Sequence, residues 1–152
     1  MSIVPTTPAG RPSVDVSLLL VRLAAGSIFA MHGSQKLFGA FEGPGLEKTV
    51  EMMGSLGQPA AIGYLVAIGE FFGGLGLIVG FLSRFSAAAL IVIMIGAIYK
   101  VHGPKGFFQA NGGYEYNVAL IGLLAPVLIA GPGRIALGQL LPLPRFVRMV
   151  LE

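Results

Sequence analysis

The polar side chains able to do chemistry in this chain fall near the ends of apolar runs, with two exceptions inside them. His32, Gln35 and Lys36 close one run; Tyr99, Lys100 and His102 close another; Glu115 and Asn117 open a third. Topology gives these groups a common depth. Two imidazoles, an ammonium and phenols can donate hydrogen bonds to the carbonyls of a quinone head, with His32, Lys36, His102 and Glu115 as the candidate lining. The same residue types also serve as snorkelling and interface anchors. A haem b between His32 and His102 would require the loop that carries His102 to face the helix that carries His32.

The two exceptions are Arg22 and Glu70. Glu70 lies near the middle of its run, where an unpaired charge costs ~2.5 kcal/mol or more, so it must be protonated, paired or hydrated. If its helix runs antiparallel to the first, Arg22 reaches a similar depth, and an intramembrane pair Arg22–Glu70 is expected. A proton-linked or ligand-binding role for Glu70 stays open beside that pairing.

The elements that must position these groups are membrane-length helices. About 20 mostly apolar residues cross ~30 Å of hydrocarbon. Four stretches approach this: residues 16–38, 60–82, 85–101 and 116–130. The last is short and contains Pro126, which a membrane helix tolerates when neighbours satisfy the freed carbonyl. The fold expected is therefore all-α: a polytopic membrane protein, a four-transmembrane-helix antiparallel bundle with a short interfacial helix in the first loop.

That loop helix is read from Leu46, Val50 and Met53 on one face and Glu47, Lys48 and Glu51 on the other. The third loop, 102–113, is rich in glycine and aromatics and is expected to fold over one end of the bundle. On a helical wheel Gly69, Gly73, Gly76 and Gly80 form a small-residue packing seam. Arg22, Gly26, Phe29, Gly33 and Lys36 share one face of the first span, and Glu115, Ala119, Gly122 and Pro126 one face of the fourth; both faces are expected to point inward. The chain divides into a polar N-terminal segment (1–15), a membrane domain (16–133) and a basic, proline-containing tail (134–152).

Composition narrows the function classes. Of 152 residues 55% are hydrophobic and 11% charged, far below the ~25% charged content of soluble domains; the mean hydropathy is +0.82. The lipid bilayer is the expected partner. The ten basic residues are scattered singly, which argues against nucleic acid. With no cysteine, thiol catalysis, thiolate metal sites and iron–sulfur clusters are excluded, and no other metal or nucleotide motif is evident. Counted by side, Arg11, Arg22, Arg84, Arg134, Arg145 and Arg148 face Lys36, Lys48, Lys100 and Lys105, a bias that places both termini in the cytoplasm.

The order His32-Gly33, Lys36-Leu37, Glu70, Gly73-Gly74, Gly80, Arg84, then Gly106-Phe107-Phe108, Gly113, Glu115-Tyr116-Asn117 and Gly131-Pro132-Gly133 resembles the DoxX family of small four-helix bacterial membrane proteins. The likeness runs from residue 18 to residue 133. It departs after the last glycine, where the family often has a serine and an aspartate and this chain has Ala136 and Gly138. The family takes its name from a membrane subunit of a thiosulfate:quinone oxidoreductase. The resemblance thus implies redox company and not a reaction; because no metal, thiol or nucleotide motif is present, the first reading is an inner-membrane subunit of a redox assembly, non-catalytic alone or quinone-associated, with no intrinsic cofactor and with other membrane subunits as partners that supply the electron-transfer cofactor. A quinone-handling oxidoreductase, a small transporter or proton path using Glu70, and a purely structural subunit are the alternatives.

Overall fold

A computed structural model of the chain describes residues 12–142 together with Pro144, Phe146, Val150 and Leu151. The expected segment up to residue 11, with Arg11, and the tail arginines Arg145 and Arg148 lie outside the described residues. Among the described residues every regular element is helical. The principal helices are α1 (Pro12–Phe38), α2 (Gly45–Ser55), α3 (Ala60–Val79), α4 (Ser83–Ala97) and α5 (Glu115–Ala130).

Three helices are long and apolar enough to cross a membrane: Pro12–Phe38, Ala60–Val79 and the continuous helical stretch Ser83–Lys105. Helix α5 has 16 residues and spans about 24 Å, short of the ~30 Å hydrocarbon core. It nevertheless runs the length of the bundle. Its C-terminal Leu128 carbonyl accepts from Arg84 Nη1 (3.2 Å), at the first turn of α4, and the following Arg134 N–H donates to Asp15 Oδ1 (2.9 Å), at the first turn of α1.

Proline at the start of α1 costs no intrahelical bond, since the first four N–H groups of a helix have no partner in any case. The second span stops three residues before its expected end because Gly80 turns left-handed (φ 72°, ψ 47°). Its N–H and that of Phe81 both return to the Gly76 carbonyl at 2.9 Å, the closing pattern of a glycine C-cap. The linker is accordingly residues 80–82, and α4 begins at Ser83, two residues earlier than expected. At its other end α4 widens into a π-helical turn, Ile98–His102.

Helix α1 packs most extensively on α3, and α4 on α5. The approach of α1 to α3 is backbone to backbone: a methyl at Gly74 would meet the Gly26 carbonyl oxygen at 2.7 Å and Ala30 Cα at 2.9 Å. Gly69, Gly73 and Gly76 instead face α4, against the side chains of Ile93, Leu90 and Ser86. Gly80 is not part of that seam; it lies past the helix, against Arg22 and Ala136. The α1 face expected to point inward does so, with Arg22, Gly26, Phe29 and Gly33 buried. The α5 face does not. Glu115, Ala119, Gly122 and Pro126 are exposed, while Asn117, Leu120, Leu124 and Val127 are buried. Because α5 is apolar on nearly every side, its small residues carry no directional signal, and packing volume decides which face turns in.

The core contains Ala25, Phe29, Leu77, Leu90 and Leu124. Around it, Leu20, Leu65, Phe72, Val92 and Ile129 are exposed, an arrangement suited to hydrocarbon, which carries no penalty for apolar surface. Helix α2 lies against α3, with Val50 on Gly63 and Glu47, Lys48 and Glu51 exposed.

Candidate functional site

A cavity of about 250 Å³ opens at the end of the bundle where α1 finishes and α5 begins. Helix α1 supplies Phe29, His32 and Lys36, and α3 supplies Glu70. Met94 and Ala97 come from α4, His102 from the π-turn, Gln109 from the loop, and Tyr116, Asn117 and Leu120 from α5. Three of the four residues expected to line a ligand site, His32, Lys36 and His102, thus border one space. The size admits a single ring or a group of waters; it lies below the ~300 Å³ floor of drug-sized sites and is too small for a porphyrin.

Glu70 is 3% exposed, and its Oε2 accepts a hydrogen bond from Lys36 Nζ in an ion pair. This replaces the expected Arg22–Glu70 pair. The cause is helix register. Gly33 packs on Phe71 and Gly26 on Gly74 and Ile78, so that Arg22 falls beside Gly80, ten residues or roughly 15 Å along α3 from Glu70. No arginine spans that rise. Arg22, 1% exposed, instead donates from Nη2 to the Ile135 carbonyl at 2.5 Å.

The loop after α4 is fixed over the cavity by its own backbone. Gly113, Tyr114 and Glu115 donate to the carbonyls of Phe108, Gly106 and Phe107 at 2.8–3.1 Å. Within it, His102 Nδ1–H donates to the Gly112 carbonyl at 2.7 Å. That bond sets the tautomer and leaves Nε2 as the acceptor of the neutral ring. His32 meets Tyr116 edge-on, ring centroids 6.5 Å apart.

Glu115 does not line the cavity. It is exposed, and its Oε2 accepts the Gln109 N–H at 3.0 Å, a contact that holds the loop closed. Residues two apart on a helix diverge by about 200°, so Glu115 and Asn117 cannot both face inward. Asn117 is the one that does, at 5% exposure. Its Nδ2–H donates to Met94 Sδ at 3.4 Å. The signal that finds Asn117 is the buried series Asn117, Leu120, Leu124 and Val127 at helical spacing. Gln109 has no comparable signal in the sequence, since a loop has no periodicity.

Comparison with known proteins identifies the family. The family model for DoxX matches residues 17–103. The chain is 32% identical over 108 residues to the provisionally named oxidoreductase CatD of Bacillus subtilis (strain 168), covering 71% of this chain and 75% of that one. It is 32% identical over 84 residues to an uncharacterized protein of Haemophilus influenzae (strain ATCC 51907 / DSM 11121 / KW20 / Rd), covering 55% and 56%. No solved structure matches. With its apolar helices, its ordered motif residues and these matches, the chain belongs to the DoxX family.

Proposed function

We propose that this DoxX protein is a four-span subunit of a redox assembly in the bacterial inner membrane, both termini cytoplasmic, whose cavity receives the head of a quinone. The observation that carries the reading is the convergence of His32, Lys36, Glu70, His102 and Asn117 on one space of ring size. Quinone carbonyls need donors, and this wall offers an ammonium and a carboxamide among apolar side chains.

When bound, a quinone supplies a two-electron, two-proton acceptor. The chain's own residues bind and orient it. Lys36 places a charge-assisted donor at one edge, and Glu70 fixes that ammonium by the ion pair. Phe29, Met94 and Leu120 border the cavity beside these polar groups and exclude water from the ring's faces. His102, tied to Gly112, presents a ring able to pass a proton. Electrons come from a partner subunit that carries a flavin, haem or metal cluster, in keeping with a sequence that has no thiol or nucleotide motif.

The reading is checked with the two histidines of the chain. A short-tailed benzoquinone should slow modification of His32 and His102 by diethyl pyrocarbonate and raise the melting temperature in mild detergent. No protection and no shift would refute it. A proton path through Glu70 is the second reading, favoured by the placement of the Lys36–Glu70 pair on the cavity wall; it requires proton flux in liposomes, which a binding subunit alone does not produce.

A further inference from the structure

Asn117 is in a costly position for the fold alone. Its side chain is 95% removed from solvent, yet the hydrogen-bond partner it has among the described residues is the thioether of Met94 at 3.4 Å, a weak acceptor. A buried polar group left short of partners destabilises a protein, whereas an apolar group of the same shape in its place is neutral or stabilising. Leu120, Leu124 and Val127 continue the same buried face of α5, so a leucine would suit the packing at residue 117. The amide does little for the bundle. It does border the cavity.

Beside His32, His102, Gln109 and Tyr116, the charged pair and the amide of that cavity stand on different helices. Lys36 and Glu70 belong to α1 and α3, Asn117 to α5, with Phe29, Ala97 and Leu120 among the apolar residues beside them. We infer that Asn117 is the second anchor of the site: it hydrogen-bonds the oxygen at the far edge of a flat ring whose near oxygen is held by Lys36. The site thereby selects para-disubstituted rings, quinones and quinols, over rings with one oxygen. This inference rests on the quinone reading above and adds the residue that sets its specificity.

The test uses the full chain in mild detergent and two probes, 2-decyl-1,4-benzoquinone with two carbonyls and 2-decylcyclohex-2-enone with one. Isothermal titration of the wild type should favour the quinone by about tenfold, the worth of one good hydrogen bond. In Asn117→Leu the quinone should weaken to the level of the enone, while the enone is little changed. Without ligand, Asn117→Leu should melt at the wild-type temperature or roughly 2–4 °C above it. A purely structural asparagine gives the opposite sign. Retained preference in Asn117→Leu, or a lower ligand-free melting temperature in both Asn117→Leu and Asn117→Ala, overturns the assignment. If the wild type binds neither probe, the quinone reading itself falls, and that outcome is distinct from loss of the Asn117 effect.

Discussion

Glu70 and Arg22 are both charged groups inside apolar helices, and the fold neutralises them by unlike means. Glu70 has a counter-ion from the facing helix, Lys36. Arg22 has a backbone carbonyl at Ile135. The two respond differently to mutation. Glu70→Gln leaves the Lys36 ammonium, 22% exposed, without its carboxylate and should cost about 2–3 kcal/mol. Pairing Glu70→Leu with Lys36→Leu should recover most of that loss, because two apolar groups replace a desolvated pair. By contrast Glu70→Gln and Arg22→Leu should be additive, as their sites lie roughly 15 Å apart along α3. Melting temperatures of the variants check both statements, and additive losses for Glu70 with Lys36 would contradict the pair. The sequence shows that Glu70 requires a partner. Which cation supplies it depends on where α1 crosses α3, and that register is set by Gly26, Gly33 and Gly74 in three dimensions.

At the level of elements, glycine placement separates two kinds of contact. A methyl at Gly73 meets Leu90 side-chain atoms at 3.2–3.3 Å, which can shift by a rotamer. At Gly74 it meets backbone, the Ala30 nitrogen first and then the Gly26 carbonyl oxygen and Ala30 Cα at 2.7 and 2.9 Å, and the helices themselves must part. Gly74→Ala should therefore lose at least ~2 kcal/mol, with Gly73→Ala nearer 1 kcal/mol or less. Folded yield and melting temperature in detergent report the difference, and equal effects would show that α1 and α3 can separate at little cost. The helices themselves are legible in the sequence, because long apolar runs broken by Gly80 and by the 102–113 loop leave few other readings. The amphipathic α2 is legible from the separation of Leu46, Val50 and Met53 from Glu47, Lys48 and Glu51 at helical spacing. The inward face of α5 is not, since its apolar residues surround it; Glu115 and its neighbours face out, and Asn117 faces in.

For the whole molecule, the four-span reading proposed above predicts that the loop after α4 and the segment after α5 lie on opposite sides of the membrane. The absence of cysteine from the chain makes the topology directly measurable. Ala110→Cys should react with an impermeant maleimide added outside cells, and Leu140→Cys, 81% exposed, should react only after the membrane is opened. Outside labelling of Leu140→Cys would overturn the orientation. The candidate site was readable from sequence only as a shared depth; whether those residues meet depends on the loop closing across the bundle, through bonds such as Glu115 N–H to the Phe107 carbonyl.

The contact of Arg22 with Ile135 joins residues 113 positions apart, and Gly138 N–H adds a second tie by donating to the Gly80 carbonyl at 2.9 Å. These two bonds give the protein a direction in time. A ribosome delivers α1 long before it delivers the carbonyl that receives the α1 guanidinium, so until residue 135 is made Arg22 lacks its Ile135 acceptor. The segment that follows α5 is what ties the first helix to the end of α3. A nascent chain halted at the end of α5 would contain all five principal helices and lack both of these ties.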